Sequence, residues 1–385
     1  MSEEKLRLYT DLLIKQVNKR NYRACGDQAE IVRTMEHTDF ILSDGIGSGS
    51  YANIAARMCN SRMLSLMRSG VSIHNACEKV LKLMHRAHTE KVPFAAFNIA
   101  RIMKGGQFTC LSFEAPLPLL VRDGVVQKLR NTHYTLSGEV VAETSVLLKE
   151  GDSMVFFTDG VTQAGLGRGQ GMGWGEDGFQ DLYQKCISAG MTVDDALDII
   201  LMKTKSLSGN ENGDDTTLAV LTLRKASVIN ILSGPPANKE DDAKFVKTFL
   251  KSDGLKVVCG STTADMTARV MGKRVKMRTI PDSLTAPPEY VIDGIDLVME
   301  GAVTLNQAYN ILEEAPNDEG EEGIFRLCSL LRRADIVRFF EGTAVNTAHD
   351  DITFKQMGIL KRALIVQLLN EKLIKMGKVT KIERL

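Results

Sequence analysis

Five aspartates stand where a glycine meets an apolar run. Gly26-Asp27 precedes Ala29-Glu30-Ile31-Val32-Arg33, and Asp44-Gly45-Ile46-Gly47-Ser48-Gly49 follows Phe40-Ile41-Leu42. Asp159-Gly160 follows Met154-Val155-Phe156-Phe157-Thr158, and Gly213-Asp214-Asp215 runs into Thr216-Thr217-Leu218-Ala219-Val220-Leu221. Any one of these is compatible with ordinary turn punctuation. Together they set carboxylates at repeated strand ends, and clustered carboxylates supply the oxygen ligands that hard cations such as Mg²⁺ and Mn²⁺ prefer. Two such ions about 3.5–4 Å apart lower the pKa of a shared water and clamp a phosphoryl group for in-line displacement.

The elements that must position these groups read as mixed helix and strand. Residues 6–17 have mixed polarity and fit a helix or a first strand. Short strands near 29–33 and 38–43 bring Asp27 and Asp44 to a common edge if they pair. Ile54, Ala55, Met58, Met63, Leu64 and Met67 recur at helical spacing, and Gly70 ends that helix. A second helix starts at Ser72 as N-cap and runs through Ala76, Val80, Leu81 and Met84 toward His88. Strands over 95–102, 108–113, 117–121 and 125–129 are separated by Lys104-Gly105-Gly106 and Arg122-Asp123-Gly124, which predicts an antiparallel meander. Seven glycines between Gly165 and Gly178 predict a flap, with Trp174 pinning it to the body. Helices over 177–189 and 192–206 follow, the second capped by Thr192.

The ordered set Gly26-Asp27, Asp44-Gly45-x-Gly-x-Gly, Phe157-Thr158-Asp159-Gly160 and Gly213-Asp214-Asp215-x-Thr217 resembles the metal-dependent PPM-type (protein phosphatase 2C) serine/threonine phosphatases. The resemblance is to their bacterial branch, like the stage II sporulation protein E phosphatase domain, and covers about residues 8 to 224. It implies an α+β fold, an α-β-β-α sandwich with a two-metal site for Mn²⁺ or Mg²⁺ at one edge. It implies that Asp44 bridges both metals and the Gly45 carbonyl binds one. Asp159 and Asp214 ligate the other, Asp27 holds the Gly45-side metal, and Asp215 is an accessory or supporting ligand. Asp44, Asp159 and Asp214 become the catalytic set, and a metal-bridging water the nucleophile. Three departures stand out. Ile46 replaces a histidine of many eukaryotic relatives, so the leaving group would take its proton from metal-bound water. Gln163 replaces a common Glu, which bears on flap positioning. Phe113-Glu114-Ala115-Pro116-Leu117-Pro118 replaces an Asn-Ala-Gly-His-x-Pro run tied to partner recognition.

Past Lys225 the pattern changes to strand-helix alternation, which predicts a smaller α/β domain over 226–385 with a parallel sheet, a regulatory or accessory module beside a phosphatase domain over 1–225. Strands are expected at 228–232, 255–259, 295–299 and 334–340. Gly260-Ser261-Thr262-Thr263-Ala264 at a strand end could hold an anion on free backbone amides, although a capped helix after a tight turn is the plainer reading. Neither Gly-Lys-Ser/Thr nor Gly-x-Gly-x-x-Gly occurs there. Asp293, Asp296 and Glu300 have mixed strand parity, and Asp350 and Asp351 lie downstream. Residues 313–323 read as an acidic solvated loop. The final helix sets Met357, Leu360, Leu364 and Leu368 on one face, for packing in its own domain or for a homodimer.

Composition narrows the partners. At 385 residues, 44% hydrophobic and 25% charged, the chain suits a globular protein of two domains. Lys plus Arg equals Asp plus Glu at 48 each, so no global field favours nucleic acid or an anionic membrane. The start of the chain lacks signal-peptide order and no apolar run reaches a membrane span, so a cytoplasmic protein is expected. Seven cysteines without a Cys-x-x-Cys argue for buried thiols rather than disulfides or zinc, and His85 and His88 read as a solvated helix face. The function that follows is hydrolysis of phosphoserine or phosphothreonine on a bacterial signalling protein, by family analogy an anti-anti-sigma-type partner. The rival readings are a catalytically weak binding protein whose C-terminal domain senses a ligand, and a hydrolase of small phosphate esters.

Overall fold

The computed structural model describes residues 8–90, 94–169, 171–277, 289–314, 323–344 and 359–385, and for 85–90 and 289 the main chain only. The side chains of His85 and His88, most of the acidic loop, Asp350, Asp351 and Met357 lie outside the described residues. The chain divides into two compact units, 1–32 with 36–225 and 33–35 with 226–385.

Period-two alternation builds the first unit in four layers. One antiparallel sheet runs β1 (Leu8–Val17), β11 (Thr216–Lys225), β10 (Ser153–Phe157), β6 (Leu119–Arg122) and β7 (Val125–Lys128). The other runs β2 (Asp27–Arg33), β3 (His37–Gly45), β4 (Ala95–Met103), β5 (Gln107–Phe113), β9 (Glu139–Leu147) and β8 (Asn131–Leu136). Phe40 and Leu42 meet Met154 and Phe156 between the sheets. Ile41, one residue out of phase, packs outward with Cys59 and Met63 of α1 (Gly49–Arg68) and Val80 of α2 (Ile73–Glu90). Val155 and Phe157 likewise face Phe179 of α4 (Gly175–Ser188) and Leu197 of α5 (Val193–Leu207). The result is the expected α-β-β-α sandwich.

Several local expectations hold. Asn75 N–H donates to Ser72 Oγ at 3.3 Å and Asp195 N–H to Thr192 Oγ1 at 3.1 Å, so both hydroxyls cap their helices. Trp174 is partly buried and meets Phe179 edge-on at 6.3 Å, which pins the glycine-rich segment. All seven thiols are buried and free.

Others are narrowed or corrected. Residues 8–17 form a strand on a sheet edge, and its half-exposed face explains the mixed polarity. The meander splits: β4–β5 lies in one sheet and β6–β7 in the other. Glu114, with φ +49°, and the two prolines that follow cannot continue a ladder, so the chain crosses between layers there. The β8–β9 hairpin has no strong apolar signal because β8 is a largely exposed edge strand. In α1 the sheet side is Ala52, Ala55 and Ala56, while Ile54 and Met58 are exposed.

The second unit carries a seven-stranded sheet in the order β14 (Lys276–Met277), β15 (Glu289–Val291), β16 (Leu297–Met299), β13 (Leu255–Cys259), β12 (Val228–Ser233), β17 (Ile336–Glu341) and β18 (Val379–Arg384). The five strands from β16 to β18 are parallel, as expected, and β14 and β15 add an antiparallel edge. α6 (Asp242–Lys251) and α7 (Ser261–Met271) cover one face, and α8 (Ala302–Ile311), α9 (Gly323–Arg333) and α10 (Arg362–Lys375) the other. α10 packs within its own unit through Ile365, Val366, Leu369 and Leu373. The expected face was therefore displaced, and Leu364 is exposed. No helix among the described residues is long and apolar enough to cross a membrane.

Candidate metal centre

The site assembles where the two sheets of the first unit end together. Asp27 opens β2, Asp44 closes β3, Asp159 opens the short helix α3 (Asp159–Thr162) directly after β10, and Asp214-Asp215 precede β11. β2 neighbours β3 and β10 neighbours β11, so each sheet contributes an adjacent pair of chain ends. The Gly45 N–H donates to the Gly26 carbonyl at 3.2 Å, joining the first pair. α1 backs onto Gly45 so closely that a Cβ there would collide with the Ala52 carbonyl, which is why a glycine follows Asp44.

Asp27 is fully buried. Its Oδ2 accepts hydrogen bonds from Thr158 Oγ1 at 2.8 Å and Thr217 Oγ1 at 2.7 Å, two hydroxyls from the opposite sheet. Its Oδ1 has no partner among the described residues. The Asp44 and Asp159 carboxyls lie beside each other, and Gln163 Nε2 donates to Asp159 Oδ2 at 2.6 Å. Asp214 pairs with Lys19 Nζ at 3.1 Å. Asp215 accepts from the main chain with both oxygens, Oδ1 from Lys19 N–H at 2.8 Å and Oδ2 from Gly26 N–H at 2.9 Å.

So much negative charge in one place moves the titrations. Burial, then the neighbouring Asp27 and Asp159, push the Asp44 carboxyl up to about 10. Burial also pushes Asp27 up to about 7 against the two hydroxyls that favour its charge, and it raises Asp159.

The donors suit a hard divalent ion. All are oxygens, one buried carboxylate oxygen has no partner among the described residues, and two neighbouring carboxyls oppose each other's ionisation, which a cation would relieve. No group of three His, Cys, Asp or Glu side chains among the described residues closes into a cage. Mg²⁺-type sites rarely need one, because the ion keeps several waters and takes few protein ligands.

All five aspartates of the motifs thus meet at one edge. Sequence reasoning assigned no role to the groups that hold them. Thr158 and Thr217 lay within the motifs, and a hydroxyl beside a carboxylate was a readable signal. Gln163 positions Asp159 rather than the flap alone. Lys19 carried no signal, being 195 residues from Asp214 in sequence. Glu114 lines the cleft beside Asp44, Thr158 and Asp159, a place hidden by its crossover segment. A second cavity, of about 260 Å³, joins Asp214 to Gln163, Leu166 and Arg168 of the glycine-rich segment. Gly165, Gly167, Gly169, Gly173 and Gly175 all have positive φ there, so that segment follows a path few other residues could take.

Residues 34–224 match the family described as Stage II sporulation protein E (SpoIIE). The first unit is a SpoIIE-family phosphatase domain. With the family comes its enzyme class, the PP2C-type protein phosphatases. The match takes in Asp44, Asp159, Asp214 and Asp215, and begins after Asp27, whose place rests on the geometry above. The chain is similar to the RsbU and RsbW domains of a Mycobacterium tuberculosis protein at 18% identity and TM-score 0.47, over 63% of this chain and 69% of that one. It is similar to the PP2C phosphatase domain and regulatory-domain fragment of SpoIIE from Bacillus subtilis at 15% identity and TM-score 0.47, over 57% and 63%. It is also similar to the catalytic domain of the serine/threonine phosphatase PstP in complex with 2 manganese ions, at 12% identity and TM-score 0.40, over 57% and 100%. No curated protein gives a significant match.

The carboxyls of the SpoIIE-family domain make its metal-free stability depend on pH. The unfolded chain binds these protons only below about pH 4. Folded Asp27 and Asp44 hold theirs to about 7 and about 10. The stability they confer is complete below pH 4 and is lost as pH rises through the folded values. Asp39 and Asp152, held low by His37 and Arg101 and by Arg122 against their burial, work in the opposite sense, but their contribution is already complete above pH 5. With EDTA present, the melting temperature of the first unit therefore falls from pH 5 to pH 9, more steeply below pH 7. Mn²⁺ or Mg²⁺ removes most of that slope. A flat or rising metal-free profile would contradict the assignment.

Proposed function

We propose that the SpoIIE-family domain hydrolyses phosphoserine or phosphothreonine on a phosphorylated signalling protein, using two Mn²⁺ or Mg²⁺ ions held by Asp27, Asp44, the Gly45 carbonyl, Asp159 and Asp214. The observation that carries this reading is the meeting of Asp27, Asp44, Asp159 and Asp214 at one edge, where a buried Asp27 oxygen has no partner among the described residues. The ions, when bound, would supply an activated water and the positive charge that stabilises a phosphoryl group in transfer.

The chain's own residues prepare this chemistry. Thr158 and Thr217 clamp one Asp27 oxygen and leave the other free for a ligand. Gln163 orients Asp159, and Lys19 orients Asp214. Asp215 acts through two main-chain amides, which set Gly26 beside Asp27 and Lys19 beside Asp214. Arg168 lines the cavity next to Asp214 and is the cation placed to meet a substrate phosphate. Leu166 and Met172, both exposed, give the same segment an apolar surface for a protein substrate. A small anti-anti-sigma-type phosphoprotein is the partner that family analogy suggests. Ile46 is exposed and brings no proton donor of its own to the departing serine or threonine oxygen.

The test is hydrolysis of a phosphoserine peptide and an aryl phosphate with and without Mn²⁺. Metal-dependent turnover of both is expected, with Asp159→Asn reduced by roughly 10²-fold or more. Absence of metal-dependent turnover in the wild type would sink the proposal, and turnover of the aryl ester alone would favour a small-molecule hydrolase.

A further inference from the structure

Ala52, Ala55 and Ala56 close the sheet side of α1, and its opposite side meets solvent. There Ile54, Met58, Ser61, Ser65 and Arg68 are all exposed and follow one another at alternating steps of four and three residues. That spacing keeps the side chains on one line of a helix, the seam along which a second helix packs. An open groove of about 970 Å³ follows this line, with Glu30 of β2 also lining it. From Ile54 to Arg68 it spans about 21 Å, or about four turns of helix.

The charge along the groove has one dominant sign. Arg57, Arg62 and Arg68 are exposed, and none forms an ion pair or a side-chain hydrogen bond among the described residues. α1 contains no aspartate or glutamate, so the helix offers its arginines no partner one turn away. α2 does offer one, where Lys82 pairs with Glu78 at 2.8 Å. Between the arginines, Ile54 and Met58 are 51% and 60% exposed, one turn apart.

These features select the occupant. A second copy of the same face would set arginines against arginines, because a two-fold contact pairs one patch with itself. A helix with an apolar stripe flanked by carboxylates complements both the arginines and the apolar pair. Met58, unbranched and polarisable, adapts to such a stripe. The groove also leads to the metal centre. α1 opens at Gly49, directly after the Asp44-Gly45 motif, and Ile54 lies about 8 Å along the helix from there. Asn53, at the same end of the groove, donates through Nδ2 to the Cys25 carbonyl at 2.7 Å, next to Gly26-Asp27. Ile46, exposed in the loop between Asp44 and α1, adds apolar surface on the side of the carboxylates.

We infer that this groove docks an acidic amphipathic helix of the phosphoprotein substrate, with the helix's apolar stripe on Ile54 and Met58 and its carboxylates on Arg57, Arg62 and Arg68. The inference rests on the phosphatase reaction proposed above and adds a recognition surface outside the metal centre. Docking there raises the local concentration of the tethered phosphoserine without touching the reacting atoms.

Binding and kinetics on the full chain test this separately. In EDTA, fluorescence anisotropy follows a labelled helical peptide of about 15 residues with a leucine stripe flanked by glutamates, against a scrambled version and a version with lysines for the glutamates. The first should bind about tenfold tighter than either control or better, and Arg57→Glu combined with Arg62→Glu should abolish the difference. In Mn²⁺, joining that helix to a phosphoserine peptide should lower KM by about tenfold or more with kcat little changed. The double variant should return KM to that of the bare peptide and turn the bare peptide over as the wild type does. Both arginines are exposed, so its melting temperature should hold. The inference is overturned if the scrambled peptide binds as tightly, if the double variant has no effect, or if light scattering shows a dimer that the double variant dissolves, which would make a second copy the occupant. Hydrolysis of the bare peptide with no gain from the helix overturns the docking alone, whereas no hydrolysis of either peptide overturns the phosphatase reading with it.

Discussion

Asp44→Asn should lower kcat/KM toward a phosphoserine peptide by about 10³-fold in Mn²⁺ and yet raise the melting temperature of the metal-free protein. The two effects share one cause. Asp44 sits among Asp27, Asp159 and Asp214, and its ionisation is opposed first by burial and then by those charges. An amide removes a group that must either carry a proton or repel its neighbours, so the empty fold gains. It also removes the carboxylate proposed to hold both ions, and losing about 4 kcal/mol of transition-state stabilisation corresponds to three powers of ten in rate. Thermal melts in EDTA and in Mn²⁺ separate the parts: the metal-induced rise seen in the wild type should largely vanish. If Asp44→Asn lowers metal-free stability and keeps its metal response, Asp44 is a structural residue and the proposed centre is wrong.

Asp215→Ala is expected to be the most destabilising single change near the site. Its carboxylate is 6% exposed and accepts from Lys19 and Gly26 main-chain amides that come from a distant part of the chain. Removing it leaves two donors without partners, at about 1–3 kcal/mol each, for roughly 3–5 kcal/mol in all. In a domain of this size that lowers the melting temperature by on the order of 10 °C. Because Gly26 places Asp27 and Lys19 pairs with Asp214, turnover at a permissive temperature should fall by about 10–100-fold, as for groups that orient metal ligands. Asp215→Asn keeps one acceptor oxygen and should recover about half the stability. Were Asp215 a direct ligand, Asp215→Asn would instead keep its stability and lose affinity for Mn²⁺, which a metal titration would reveal.

These two aspartates show where sequence reading stops. Asp214 and Asp215 are adjacent and similarly flanked, so nothing local separates a group that faces the cleft from one turned back onto the main chain. The difference comes from the loop around Lys19, which reaches the pair only when β1 lies against β11. Buried strands were legible because Phe40-Ile41-Leu42 and Met154-Val155-Phe156-Phe157 are apolar on both faces, as strands sandwiched between layers must be. Three edge strands were less so: β1, β8 and β18 are only partly buried and lack the apolar run that marks a strand. The last helix was found from its periodicity, but its buried face was displaced, since several apolar stripes competed and the sheet chose Ile365, Val366, Leu369 and Leu373.

The sequence by itself determined the order of the acidic motifs, most of the helices and strands around them and the α/β unit that follows, because periodicity, glycine placement and motif spacing are local properties of the chain; the sandwich was an expectation only through the family resemblance. Only the tertiary structure decided that Thr158 and Thr217 leave one Asp27 oxygen open, that Asp44 lies against Asp159, and that Glu300 and Arg362 line one cavity. Those facts depend on which distant segments a folded core presses together, and burial gives each its energetic weight by taking away the water that would otherwise satisfy every group alike.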